Sequence, residues 1–490
     1  MEAPQPAPGD DRARHRAHLG RGFNWLGGAT IIAKVTDFAT ILAVLLYLTK
    51  AQLGTGSLVI AFGMIVEAFD GLGTGDALVQ APDIARRQLD TLFWFILAVA
   101  VAMAGATLLA APLVARLYGV PGIAGLFLAV ALKQPLVAAA VIPLARLNRG
   151  LRYEAIAVVN LSATFGAAGT RLAIAIAGGG AWALAGGYLA SGVFILAGAG
   201  LASPFRPRLR FRFGDISPLL RFGLRSASAN IFEQVFKNID FLLVGWFYGA
   251  AALALYRVAF DVAMEPAMAI GTIINRAALP VFARAAAVPA HLTDALLWSL
   301  RRVAVLNAPL MVGLCLMAGP LMRLLHDAQG QSYAAAAWPL RILALAAILR
   351  IVSQLITPVL VGTGRPGRAA WVAAATLGLL SLGIVAAGLY FPARSGIIAV
   401  SCVWFAAYPP LLGWGAWYLH RHWRIGFGAL LRPFLAPGAG IAGLVLLDVV
   451  GRSVLGQGAV AEIGIALGAT LLAYAGLFWH ARRTRHAGLA

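Results

Sequence analysis

Lys34 and Asp37 stand three residues apart in one long apolar run, and Glu67 and Asp70 repeat that spacing in the next. Further along, Glu233, Lys237 and Asp240 follow at i, i+4 and i+7, and Arg257, Asp261 and Glu265 at i, i+4 and i+8. Lys133, Arg171, Arg341 and Arg350 are cations in other apolar runs. Steps of three, four and seven put side chains on one stripe of an α-helix. Ionisable groups at the centre of a bilayer cost roughly 2.5–3.5 kcal/mol each, so they face a wet cavity or one another. The cations suit an anionic ligand, because arginine forks onto phosphate oxygens and lysine acts as a point charge. Lys34, Arg171, Lys237, Arg257 and Arg350 are the candidates to bind a diphosphate or sugar. Asp37, Glu67, Asp70, Glu233, Asp240 and Asp261 are the candidates to carry H⁺ or Na⁺ as a coupling ion. The alternative is that these charges only tie helices together, and Glu233 with Lys237 and Arg257 with Asp261 are well spaced for that. Lys133, Arg276 and Arg341 lie near run ends, where long side chains reach back to the interface.

The elements that position these groups are membrane spans. Of the 490 residues 61% are hydrophobic and 12% charged, against roughly 25% charged in ordinary soluble domains. Crossing a bilayer takes about 20 mainly apolar residues, and runs of that length recur throughout. They predict about fourteen transmembrane helices, near 22–48, 56–80, 90–115, 121–145, 155–177, 180–201, 222–247, 252–282, 302–324, 334–362, 368–390, 395–419, 433–451 and 459–480. The run 252–282 is long and interrupted by Pro266 and Pro280. The expected class is therefore an all-α integral membrane fold. A basic stretch at 202–221 separates the first six spans from the next six, giving two six-helix lobes, 22–201 and 222–419. Helices at 433–480 form an appended pair, and 1–21 and 481–490 are tails. A faint repeat, in short turns around Thr49–Gly54 and Tyr248–Leu253, fits a duplicated bundle.

The net charge of +20 looks at first like a nucleic-acid signal. Its distribution says otherwise. With the N-terminus in the cytoplasm and loops alternating, 26 of the 39 basic residues fall in cytoplasmic segments or at the span ends beside them and 5 in or beside segments on the other side. This is the positive-inside bias, and it places both termini in the cytoplasm, with the lipid bilayer as partner and no nucleic acid. Cys315 and Cys402 both lie inside spans, so no disulfide framework is expected. The apolar run behind the basic N-terminus is too long for a cleavable signal peptide. No metal-ligand cluster, phosphate loop or large outer loop is present to suggest an enzyme or a bound cofactor.

Particular residues resemble one family. They are Asp70-Gly71-Leu72-Gly73-Thr74-Gly75 in the first lobe, Leu220-Arg221-Phe222-Gly223-Leu224 after the basic stretch, then Asn238-Ile239-Asp240-Phe241-Leu242, Ala254-Leu255-Tyr256-Arg257-Val258 and Pro280-Val281-Phe282-Ala283-Arg284. Over roughly 20–420 the chain resembles the Wzx-like polysaccharide transporters of the multidrug/oligosaccharidyl-lipid/polysaccharide (MOP) flippase superfamily. The resemblance implies a secondary transporter in the bacterial inner membrane. Such a protein moves undecaprenyl-diphosphate-linked oligosaccharide units by alternating access through a charged central cavity, for exopolysaccharide, capsule or O-antigen assembly. It implies a polysaccharide polymerase and export machinery as partners. In the lipid II flippases of the superfamily, cavity arginines sit on helices 1, 2 and 8. Here Lys34 and Arg257 answer for helices 1 and 8, whereas helix 2 carries carboxylates. Alternatives are a cation-coupled multidrug exporter of the same fold and a membrane polymerase of the same pathway.

Overall fold

The computed structural model describes residues 8–81, 83–120, 122–285, 288–455 and 458–486. Among them the backbone is helical throughout, apart from turns and one antiparallel bridge between His326 and Ser332. The chain forms two compact units, Met1–Leu242 and Leu243–Ala490.

The first unit holds α1 (Pro8–Leu45), α2 (Lys50–Glu67), α3 (Thr74–Gln80), α4 (Arg86–Tyr118), α5 (Ile123–Arg149), α6 (Tyr153–Ile176), α7 (Trp182–Ala202) and the start of α8 (Ser217–Ala285). The second holds the rest of α8, then α9 (Pro289–Leu324), α10 (Ala337–Gln354), α11 (Ile356–Gly362), α12 (Pro366–Tyr390), α13 (Ala393–Trp423), α14 (Phe427–Leu431), α15 (Leu435–Leu455) and α16 (Ala459–His486). Among the described residues thirteen helical stretches are long and apolar enough to cross a membrane. One of them, Asn230–Thr272, has 43 residues. At 1.5 Å per residue it would extend about 65 Å, twice the roughly 30 Å hydrocarbon core. It is broken at Gly249 (φ 80°, ψ 175°), so it supplies two of the expected spans. Gly249 breaks it, rather than Pro266, because proline costs one hydrogen bond while keeping helical φ; the dihedrals at Gly249 are nearly closed to any other residue.

A second break was not expected. The predicted span 56–80 is divided by a 3₁₀ turn at Asp70–Gly73, with Gly71, Leu72 and Gly73 all at positive φ. The turn backs onto the first helical turns of α8. A Cβ added at Gly73 would lie 2.1 Å from the Gly223 carbonyl oxygen, and one at Gly223 2.7 Å from that of Leu72. Two of the sequence motifs therefore meet backbone to backbone.

Leu78, Leu92, Ile96, Ala138, Ile142, Ile216 and Leu220 form a core that joins α3, α4, α5 and α8. The basic stretch is strapped over one end of α4. The buried Asp90 carboxylate accepts from the Arg208 N–H (3.1 Å), Trp94 donates to the Arg208 carbonyl (2.9 Å), and the Arg212 N–H donates to Thr91 (3.3 Å). Arg210 and Arg212 remain exposed. In the second unit, Leu444, Ala469 and Ala473 of α15 and α16 pack on Val312 and Leu316 of α9. Arg452 pairs with Asp448 and Glu462 (both 2.8 Å), and Arg323 of α9 with Glu462 (3.0 Å). The terminal pair is thus fastened to α9 by both apolar contact and charge.

Candidate intramembrane charge sites

The first unit gathers its charges between helices. Glu67, at the end of α2, is met by Lys133 of α5 (Nζ–Oε2 2.9 Å) and by the Tyr188 hydroxyl of α7, which donates to the same oxygen (2.6 Å). The Lys133 ammonium also lies 3.5 Å from the centre of the Tyr188 ring. Cation–π contact and a charge-assisted hydrogen bond are each stronger away from water, so the three groups support one another. Small residues make the room. A Cβ at Gly192 would lie 2.8 Å from the Lys133 stem, and one at Gly63 3.0 Å from the Tyr188 ring. Arg171 of α6 lies half-buried against Gly187 of α7, one residue before Tyr188. Lys133 does not reach back to an interface: it is buried and paired inside the bundle, because a carboxylate and an aromatic face are nearer than water.

The second unit arranges its charges differently. Arg257 and Asp261 pair along one helix at i, i+4 (2.7 Å). Arg350 of α10 is buried; its guanidinium lies 4.9 Å from the Trp404 ring of α13 and 3.8 Å from the sulfur of Met264 on α8. Trp404 in turn donates to the Tyr256 hydroxyl (2.7 Å), next to Arg257. An arginine held by ring faces keeps in-plane N–H groups directed away from the ring.

The remaining candidates are placed as follows. Lys34 is exposed on α1 and Asp37 half-buried. Glu233 and Lys237 pair at i, i+4 (2.5 Å) and are both well exposed, while Asp240 is buried. Glu265 is half-buried, and Arg341 lies over Trp338 (4.9 Å). The side chains of Asp70 and Arg276 lie outside the described residues. Lys237 belongs to the first unit and Arg257 to the second. Tyr188, Trp404 and Tyr256 were missed as site residues: an aromatic inside an apolar run carries no polar signal. Among the described residues no group of three or more His, Cys, Asp or Glu is set to hold a metal ion. Outside the spans, the turn after α9 buries Tyr333, and burial and then the nearby Asp327 carboxylate raise its phenol above the ordinary value.

With this geometry in hand, residues 41–335 match the family model described as "Polysaccharide biosynthesis protein". The chain belongs to that family. Over 377 residues it is 24% identical to the teichuronic acid biosynthesis protein TuaB of Bacillus subtilis (strain 168), covering 75% of this chain and 76% of the relative. It is 24% identical over 355 residues to the lipopolysaccharide biosynthesis protein WzxC of Escherichia coli (strain K12), covering 70% of each. It is 25% identical over 354 residues to the succinoglycan biosynthesis transport protein ExoT of Rhizobium meliloti (strain 1021), covering 71% of each. In fold it is similar to the lipid II flippase MurJ in an inward closed conformation, with a TM-score of 0.72 at 14% identity over 93% of this chain and 98% of that one. It is also similar to an inward-facing multidrug resistance MATE transporter of the MOP superfamily, with a TM-score of 0.60 at 16% identity over 79% and 95%. The family is thus the Wzx-like polysaccharide flippase branch of the MOP superfamily. Its members are multi-pass membrane transporters rather than enzymes.

Proposed function

We propose that this chain moves polyprenyl-diphosphate-linked oligosaccharide repeat units across the inner membrane for assembly of a surface polysaccharide. The observation that carries the reading is Arg257. It is a permanently charged fork inside a predicted span, paired with its own helix neighbour Asp261 and still partly accessible. A diphosphate offers more oxygens than one carboxylate, so it can draw the fork away without unpacking helices. Lys34, Arg171, Lys237 and Arg350 are the accompanying cations. Asp37, Glu67, Asp70, Glu233, Asp240 and Asp261 are the groups to accept H⁺ or Na⁺ as a coupling ion. The reading takes 22–201 and 222–419 as the two six-helix lobes, 202–221 as their linker and 433–480 as an appended pair, with both termini cytoplasmic. A polymerase and export machinery would take up the flipped unit.

The test is deletion in the host with analysis of surface polysaccharide and of the lipid-linked sugar pool. Loss of polymer with diphosphate-linked repeat units accumulating in the inner leaflet is the expected result. The similarity to a multidrug MATE transporter favours a second reading, cation-coupled drug export. Unchanged polymer with increased sensitivity to cationic drugs would establish that one instead.

A further inference from the structure

A third cationic cluster lies apart from the charges above, wholly in the second unit, where α11 gives way to α12. Arg365 caps α12, and Arg368 lies in its first turn. Both guanidiniums donate to one acceptor, the hydroxyl of Tyr418 on α13. Arg368 also meets His422 (3.3 Å to Nε2), whose ring stacks on Tyr418 at 4.1 Å. Arg365 lies over the Trp423 ring (5.0 Å). Among the described residues no carboxylate pairs with any of the three basic groups, and the sequence holds no Asp or Glu from 328 to 447. Two arginines at the positive end of a helix dipole add repulsion to repulsion. One neutral hydroxyl does not offset that, whereas an anion would.

Tyr418 also lines an apolar cavity of about 360 Å³ between α9, α10, α11, α13 and α14, walled by side chains such as Leu300, Val352, Leu360 and Leu431. One tyrosine therefore joins a phosphate-binding chemistry to a groove that suits a hydrocarbon chain. Free phosphate explains the arginines and not the groove; a detergent tail explains the groove and not the arginines.

We propose that this is a bound-lipid site that holds an anionic phospholipid of the surrounding bilayer, its phosphate on Arg365, Arg368 and His422 and an acyl chain in the groove behind Tyr418. Confinement to one unit suits a resident lipid rather than a transported one. Basic pockets among transmembrane helices are suited to such headgroups.

The experiment is native mass spectrometry of the purified full chain, delipidated and titrated with phosphatidylglycerol, with phosphatidylcholine of the same chains, with inorganic phosphate and with undecaprenyl phosphate. Phosphatidylglycerol is expected to be retained at least tenfold better than phosphatidylcholine. The double variant R365Q/R368Q should lose that preference, and Ala416→Leu, which fills the groove, should weaken both lipids alike. If the double variant is not monodisperse, the exposed single change Arg368→Gln gives the same reading at smaller amplitude. Equal retention of the two lipids, an unchanged preference in the arginine variants, or inorganic phosphate competing as well as the lipid would each overturn the proposal. Preferential binding of undecaprenyl phosphate would also overturn it, by making the site part of the transport path.

Discussion

The two units hold Lys133 and Arg257 in different ways. In the first, Lys133, Glu67 and Tyr188 come from three helices, and their mutual contacts fix α2, α5 and α7 relative to one another. In the second, Arg257 finds its carboxylate one turn away on its own helix, and Arg350 rests on aromatic and thioether surface. The first arrangement is a tie: a ligand that competes for Lys133 must also loosen helix packing. The Arg257–Asp261 pair is the more local arrangement, because it joins two residues of one helix, whereas Arg350 of α10 touches both α8 and α13. On the proposed flippase reading, Arg257 is therefore better suited than Lys133 to exchange between a protein partner and a phosphate.

The sharpest way to break this contrast is Glu67→Ala. It strands the Lys133 ammonium at a buried position, and removing one partner of a buried pair costs about 3–5 kcal/mol. We expect a large fall in thermal stability of the purified protein and in its membrane level. Removing both charges in Glu67→Gln/Lys133→Met should recover most of the loss, as expected where desolvation rather than attraction dominates. Equal damage from the single and double variants would mean that the three groups do not form one tie.

The same contrast recurs in the backbone. The break at Gly71–Gly73 presses against Gly223, whereas nothing lies within 4 Å of a Cβ at Gly249. Gly73→Ala has to push α8 away as well as adopt positive φ, so its cost should exceed the roughly 1–3 kcal/mol of backbone strain alone. Gly249→Ala should show that strain alone. Comparing the two melting temperatures tests whether the first break is clamped by its neighbour; identical shifts would show that it is not.

Arg257→Gln should separate function from stability. The pair it breaks is local and partly accessible, so melting should change little. Export of polymer should fall at least tenfold at normal membrane levels, equivalent to about 1.4 kcal/mol. Wild-type export in this variant would remove Arg257 from the transport site.

How much of this was readable beforehand follows from which physical signals survive in one dimension. Spans were legible because lipid demands long apolar runs, and among the described residues thirteen such stretches appear, one of them covering two of the expected spans. The i, i+4 pairs were legible because helix geometry sets them. The Lys133–Glu67 contact joins residues 66 positions apart, and no local period encodes that. Asp90 pairs locally with Arg86 at i, i+4 (3.5 Å), but its bond from the Arg208 N–H in the basic stretch was hidden for the same reason, since backbone groups leave no trace in sequence. Three consecutive positive-φ residues at Gly71–Gly73 were hidden by Leu72, an ordinary helix former.

The smallest stability effect should come from Lys237→Gln, and its sign is informative. Lys237 and Glu233 form an exposed i, i+4 pair, with side chains 39% and 58% accessible. Accessibility here means contact with either water or lipid, and the two surroundings predict different outcomes. Facing water, the pair contributes about 0.3–0.5 kcal/mol, so Lys237→Gln lowers stability slightly and the double variant Glu233→Gln/Lys237→Gln is nearly neutral. Facing lipid, the charges are a net cost, so removing both raises the melting temperature, while removing one strands the other and lowers it clearly. A place for Lys237 in the transport site requires the watery case, together with a loss of export in Lys237→Gln that stability does not explain. A double variant that is more stable and exports normally would place this stripe against the bilayer and leave the transported diphosphate to the arginines of the second unit.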